Sequence, residues 1–280
     1  MKCEYFTDFI HAHVKKTDAN RIYIDKLMTR KIVNELALPL PKIFFEISTI
    51  DDLVLDGMPD PIVIKLTNLA AKRGVFILYK VKGGYFEQLR SKLFSKEELV
   101  ALIKKSFNPK TSRIIGEEVI KGLNGPMKIP FDYKLYTFDG SVKFILQIDR
   151  NNPIDNVAFF DGDFEPTNES LVKTNKKYVE LGEHVKPSNY NEMISIAEKV
   201  SNHIDRPFIS VDLYTTGDNA YVGELTPTPG GPYFGNIVSF SEEFDKYLGA
   251  LMLDGYMKRR WEIPEIESLP PARKKRKPTR

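Results

Sequence analysis

PFISVDLYTTGDNAYVGELTPTPGG, residues Pro207–Gly231, decides how this chain is read. Its first arm alternates, with Ile209, Val211 and Leu213 on one face and Phe208, Ser210, Asp212 and Tyr214 on the other. Gly217 and Asn219 tolerate positive φ, which predicts a short hairpin loop. A turn centred on Asp218 sets Asp212 opposite Glu224 and Ser210 opposite Thr226. Directly opposed like charges destabilise a strand pair, so a cation belongs between them. A hard divalent ion with oxygen ligands, Mg2+ above all, suits that position. The plainer alternative is a pair of solvated carboxylates on an exposed sheet face. Asp212 lies among strongly apolar residues, and a Pro/Gly-rich turn follows Thr226; both favour a metal strand with substrate approaching the loop.

VDLY followed by GELTPTPGG resembles the C-terminal metal-binding hairpin of ATP-grasp enzymes. It is most similar to the TupA-like branch associated with teichuronopeptide and other polysaccharide-decorating pathways. The resemblance runs from about Ile24 to Gly255, through IDKLMTRKIVNEL (Ile24–Leu36), PIVIKLTN (Pro61–Asn68), RIIGEEVI (Arg113–Ile120) and DYKLYTFDG (Asp132–Gly140). It implies an α+β fold in which two lobes clasp ATP. Residues 1–60 would be an N-terminal segment, 61–120 the small nucleotide-clasping lobe, 121–268 the C-terminal lobe with the metal hairpin, and 269–280 a disordered basic tail.

The same resemblance implies roles for residues. Lys26 and Lys65 match the lysines that touch nucleotide phosphate, Glu117 the acceptor for the exocyclic amine of adenine, and Glu118 and Val119 the backbone that meets the base edge. Asp132 matches the neighbourhood of the carboxylate that binds ribose. Lys134 shares its strand face and could reach phosphate or an acidic substrate, while Asp212, Glu224 and Thr226 would hold Mg2+. Read from the residues alone, Lys65 sits within a β-branched strand and calls for an anionic partner. Each lysine has an alternative as a side chain snorkelling from its element, and Asp132 as one charge on an ordinary strand face.

Two departures stand out. The stretch after Lys65, TNLAAKRG, would cover the phosphates yet contains only Gly74, leaving Lys72 and Arg73 to supply charge. An arginine two residues before the metal aspartate, usual among ATP-grasp ligases, is replaced by Ser210; Arg206 or Arg150 could stand in for it.

The chain's 280 residues suffice for a large core, and 42% hydrophobic with 28% charged residues is ordinary for a globular protein. No apolar run approaches the roughly 20 residues of a membrane span, and the N-terminus lacks the apolar core of a signal peptide. With the single Cys3, these features predict a cytoplasmic protein. The net charge of +3 conceals a division: Arg273, Lys274, Lys275, Arg276, Lys277 and Arg280 carry six charges, leaving −3 for the rest. Such a tail could contact a polyanion or serve only as a solubilising end.

Local patterns predict helices over Asp25–Leu36, over Lys96–Phe107 with a Ser95/Glu98 capping box, over Asn189–Ile204 capped by Ser188, and over Phe244–Met257. Strands are predicted at KIFFEI, Pro61–Leu66, Val75–Val81, Arg113–Ile120, Tyr133–Phe138 and Lys143–Ile148, with loops over Asn151–Lys186. His11 and His13 read as surface residues or as a strand-borne ligand pair. Phosphate-loop, dinucleotide, nucleophile-elbow and H-E-x-x-H motifs are absent.

The implied enzyme is an ATP-dependent ligase. A small-molecule carboxylate becomes an acyl phosphate, and an amine, an amino acid or a sugar-linked acceptor, displaces phosphate. Lys65, Lys134 and Arg206 would carry the catalysis. The alternatives are a kinase acting on a hydroxyl and a non-catalytic polyanion-binding protein using the tail.

Overall fold

The computed structural model describes residues 2–15, 23, 25–69, 73–125, 127–167, 170–230 and 237–265. Lys72, Gly231–Phe234 and the basic tail fall outside the described residues. Two six-stranded sheets organise the described chain.

The first sheet has the order β1-β6-β2-β3-β4-β5. Its strands are β1 (Ile43–Ile47), β2 (Ile62–Leu66), β3 (Val75–Val81), β4 (Gly84–Glu87), β5 (Lys92–Phe94) and β6 (Ile114–Glu117). Period-2 alternation divides its faces. Ile62, Ile64, Leu66, Phe76 and Leu78 pack on Leu99 and Ile103 of a helix over Lys96–Ser106. Ser95 and Glu98 form the predicted capping box at that helix's start. The opposite face carries Val63, Lys65, Ile77, Ile115 and Glu117, and it borders a cleft.

Glu87, 0% exposed, locks the β4–β5 corner. One carboxylate oxygen accepts from the backbone N–H groups of Ile77 and Leu89, each at 3.2 Å. The other accepts from Arg90 N and Arg90 Nη1, each at 2.9 Å. Glu87→Ala would leave these donors and the arginine uncompensated, and a loss of about 3 kcal/mol in urea unfolding is expected. A loss under about 0.5 kcal/mol, typical of surface changes, would show that water replaces the carboxylate.

The second sheet has the order β11-β9-β8-β7-β12-β13. Its strands are β7 (Asp132–Phe138), β8 (Ser141–Asp149), β9 (Asp155–Asp161), β11 (Val179–Leu181), β12 (Phe208–Thr215) and β13 (Ala220–Thr226). A two-stranded ribbon joins β10 (Val172–Thr174) to β14 (Val238–Phe240). Of the five helices among the described residues, α1 (Phe6–Lys15) and α5 (Glu242–Arg259) cover one sheet face, where Phe6, Phe9, Leu248, Met252 and Tyr256 meet Tyr136, Phe138 and Phe208. On the other face α4 (Tyr190–His203) contributes Met193, Ala197 and Val200, and α2 (Lys26–Glu35) contributes Ile32 and Val33, against Leu135, Ile209, Val211 and Leu213. The Lys96–Ser106 helix is α3. Residues 1–60 are thus shared out: α1 and α2 join the second sheet's core, and β1 the first sheet. Among the described residues no helix is long and apolar enough to cross a membrane.

The α+β expectation holds, and three local readings are corrected. Asn151–Lys186 contains three strands rather than loops. In β9 the run Val157–Phe160 is buried on both faces and therefore shows no alternation. His11 and His13 lie on helix α1, where positions two apart diverge, so they are not a strand pair. Helix α4 is preceded by Asn189 rather than capped by Ser188, whose hydroxyl donates to Gly217 O at 2.8 Å.

Candidate active site

On the first sheet's cleft face, Lys65 and Glu117 lie on the paired strands β2 and β6 and make a direct ion pair. Arg30, one turn beyond Lys26 on α2, donates to Glu117 Oε2 at 3.3 Å and to Pro41 O at 2.7 Å. Asp25 caps α2 by accepting from Leu27 N at 2.8 Å and Met28 N at 3.3 Å. Lys26 N donates to Thr67 O at 3.0 Å, and Lys26 Nζ to Leu69 O, so the start of α2 is tied to the chain leaving β2. Lys26 is 6% exposed. Burial drives its pKa down, while Glu224 and Glu117 pull the other way and Lys65 adds to the fall.

Lys26 lies on α2, which packs on the second sheet, and it shares a cleft with Lys65 and Glu117 of the first, so both sheets border one cleft. Its lining includes Lys65 and Glu117 of the first sheet, Val222 and Gly223 of β13 in the second, and Lys26 and Arg30 of α2. Next to Glu117, Val63, Ile77 and Ile129 form an apolar cluster joined by Val119 and Tyr79. The first sheet's cleft face therefore changes from apolar to charged side chains at Glu117.

In the second sheet, Asp212 pairs with Glu224 and Ser210 with Thr226, as the hairpin sequence requires. The route to that register differs from a simple hairpin. Leu213 pairs with Val222 and Thr215 with Ala220, one residue out of step with a turn centred on Asp218. Gly223 is the extra residue of a bulge that restores the register at Asp212. A Cβ at Gly223 would stand 2.5 Å from the Tyr214 ring, so only glycine lets that ring lie across the bulge.

Asp212, 3% exposed, accepts from Lys134 Nζ through Oδ2 and from Ser210 Oγ through Oδ1 at 3.0 Å. Lys134 also reaches Asp132 Oδ2 at 3.1 Å. Arg150, just beyond β8, bridges Asp132 at 2.8 Å and Asp155 at 2.9 Å. Burial would raise the Asp132 carboxyl, but Lys134 and Arg150 together hold it below its ordinary range. Asp212 goes the other way. Burial, with Asp132 and Glu224 nearby, pushes it up to about 7 against the pull of Lys134. Burial, then Asp132, likewise raises the Tyr214 hydroxyl.

These features fit a divalent cation. Among the described residues no group of three or more His, Cys, Asp or Glu side chains is placed to hold a metal ion by itself. Mg2+ is usually held by one or two carboxylates plus substrate phosphates, which is the donor set Asp212 and Glu224 offer. Asp132 Oδ1 is buried without a protein partner, a further acceptor directed at no protein group.

The structure thus gathers Lys26, Lys65 and Glu117 at the cleft, and Asp132, Lys134, Asp212 and Glu224 on the second sheet. It does not bring in Arg206, which precedes Asp212 by six positions, about 20 Å of extended strand, and stacks on Tyr23 at 4.7 Å. Arg150 is the guanidinium placed beside the carboxylates. Glu118 is turned to β1, its carboxylate accepting from Lys42 N at 2.7 Å and its N–H donating to Lys42 O at 2.9 Å. Sequence reasoning missed Arg30 and Tyr214. Arg30 had a signal in its spacing four residues after Lys26, on the same helix face.

Comparison with solved structures identifies the fold. A D-alanine–D-alanine ligase from Bacillus anthracis matches with a TM-score of 0.52 at 18% identity, covering 85% of this chain and 69% of that one. The Helicobacter pylori D-alanine–D-alanine ligase gives 0.47 at 13% identity, covering 85% and 58%. An L-amino acid ligase from Bacillus licheniformis gives 0.45 at 19%, covering 76% and 42%. The chain thus spans about two-thirds of the first and roughly half of the other two. No curated protein matches by sequence. The TupA-like ATP-grasp profile matches residues 10–253, and the chain belongs to that family.

Proposed function

We propose that this protein is an ATP-dependent carboxylate–amine ligase acting through an acyl phosphate. The observation that carries the reading is the shared cleft, lined by Lys65 and Glu117 of the first sheet and by Val222 and Gly223 of the second, with Lys26 of α2 between them. Residues 61–120 would serve as the clasping lobe and 121–268 as the lobe bearing the hairpin.

In the reaction a carboxylate oxygen of the first substrate attacks the γ-phosphorus of ATP and ADP leaves. The amine of the second substrate then attacks the acyl carbon, expels phosphate and loses a proton. Lys26 and Lys65 bind phosphate oxygens and screen their charge. Glu117 accepts from the adenine amine, backbone near Glu118 and Val119 meets the base edge, and Asp132 takes the ribose hydroxyls. Asp212 and Glu224 would hold Mg2+, with Thr226 able to complete its shell, and the ion would supply charge neutralisation for the phosphates. Lys134 and Arg150 keep a positive field beside the transferring group. Preorganised charge of this kind is the main source of acceleration in phosphoryl and acyl transfer.

Ser210, standing where an arginine is usual, would suit a kinase acting on a hydroxyl. Ser210 Oγ instead orients Asp212, and Arg150 supplies a guanidinium from the β8 end, which favours amide formation. The carboxylate and amine are small molecules in this proposal, with an amino acid or sugar-linked acceptor suggested by the family.

Calorimetric titration of Mg2+–ATP tests the reading. Wild type is expected to bind with Mg2+ dependence, and Asp212→Asn/Glu224→Gln to lose that dependence with at least a tenfold weaker Kd. Wild type that binds no nucleotide would overturn the proposal. ADP release that requires both a carboxylate and an amine would separate the ligase from a kinase.

A further inference from the structure

Arg30 has no part in the roles assigned above, yet it is a guanidinium only 16% exposed in the cleft. One edge is anchored to Pro41 O at 2.7 Å, in the segment leading to β1, and the other reaches Glu117 Oε2 at 3.3 Å. Lys65 takes the other oxygen, Oε1. Glu117 itself sits where the apolar cluster meets the cations. It pairs with Val63 across β2–β6, and Val63 belongs to the cluster with Ile77 and Ile129.

We infer that Arg30 is a positioning residue that holds the Glu117 carboxylate for selection of adenine over guanine. The inference rests on the nucleotide reading given above. Lys65 cannot do this work alone, because a nucleotide phosphate competes with Glu117 for the same ammonium. Arg30 keeps its grip through a backbone carbonyl that no ligand displaces. A guanidinium is permanently charged and donates in a planar fork, so it fixes both the ionisation and the direction of its partner. An ionised carboxylate only accepts. It welcomes the exocyclic N–H of adenine and repels the carbonyl oxygen that guanine presents at the corresponding position. If Glu117 is free to rotate, that discrimination is lost even though the carboxylate remains.

Titration of Mg2+–ATP and Mg2+–GTP into the full chain tests this, using wild type, Arg30→Met, Arg30→Lys and Glu117→Gln. Wild type is expected to prefer ATP by tenfold or more. Arg30→Met should narrow the ATP:GTP ratio by about tenfold, the scale of one charge-assisted hydrogen bond. Arg30→Lys should restore the ratio only in part, because a lysine cannot span Pro41 O and Glu117 together. Glu117→Gln, which can donate as well as accept, should narrow the ratio with Arg30 intact. Equal weakening of ATP and GTP in Arg30→Met would overturn the positioning role and leave a plain phosphate or structural cation. A wild type that binds both equally would overturn the selectivity, and one that binds neither would overturn the nucleotide reading itself.

Discussion

Asp212→Asn is expected to stabilise the ligand-free protein at pH 8 while abolishing its activity. The Asp212 carboxyl titrates at about 7 in the folded chain against 3.8 for an ordinary aspartate, burial being the largest cause. Folding therefore takes up a proton between those values, and the contribution of this group to stability falls as pH rises from about 4 to about 7. Above pH 7 the carboxylate is ionised in both states and the whole penalty is felt. A shift of roughly three units sets a ceiling of about 4 kcal/mol. Asparagine removes the penalty but also weakens the contact with Lys134, so a net gain of about 1–2 kcal/mol is expected, raising Tm by a few degrees. Because the substitution removes a charge that must be opposite to the cation, turnover should fall by about 10²-fold or more. Thermal unfolding of both proteins at pH 5 and pH 8 checks the sign. The gain should be present at pH 8 and smaller at pH 5, and a destabilised variant at pH 8 would show that the Lys134 contact outweighs the penalty.

Lys134→Met should have the opposite consequence and a larger one. Lys134 lies between Asp132 and Asp212, both under 10% exposed. Its removal leaves Asp132 to Arg150 and Asp212 to the Ser210 hydroxyl, without a cation between them, and such losses cost about 3–5 kcal/mol. The burial cost on the lysine is more than offset by Asp132 and Asp212, which raise its pKa, so it stays charged through the physiological range. Adding Asp212→Asn to Lys134→Met should recover part of the stability, since the second change deletes one of the stranded charges. Denaturant unfolding of the two single variants and the double variant measures that coupling, expected at about 1–3 kcal/mol. Additive effects would mean that Asp212 and Lys134 do not act as a pair, and the arrangement of the cluster would have to be redrawn.

Both expectations express one feature of the site. It concentrates buried carboxylates around Lys134, and under the proposed function it accepts that instability to bind a cation. Stability is given up where function needs unbalanced charge, and the aromatic packing of Phe6, Phe138 and Phe208, with centroids 4.9–5.4 Å apart, supplies it elsewhere.

Much of this was legible in the chain before any tertiary contact was known. The alternation of PFISVDLY and the glycine turn put Asp212 opposite Glu224, and the Ser95/Glu98 spacing started α3 at the observed residue. These are local facts. Strand period, turn chemistry and capping act over fewer than about ten residues, so neighbouring residues reveal them. Even so, the register was reached through a bulge at Gly223 that alternation does not announce. What depended on the assembled fold is the company each charge keeps. Arg30 meets Glu117 across 87 positions and Lys134 meets Asp212 across 78, because helix α2 and strands β6, β7 and β12 converge by sheet order. The same order leaves Arg206 at Tyr23 and brings Arg150 to Asp132. Side chains distant in sequence share no period or spacing to connect them. Their pairing follows from which strands lie adjacent, and that is settled by burying both faces of the sheets at once.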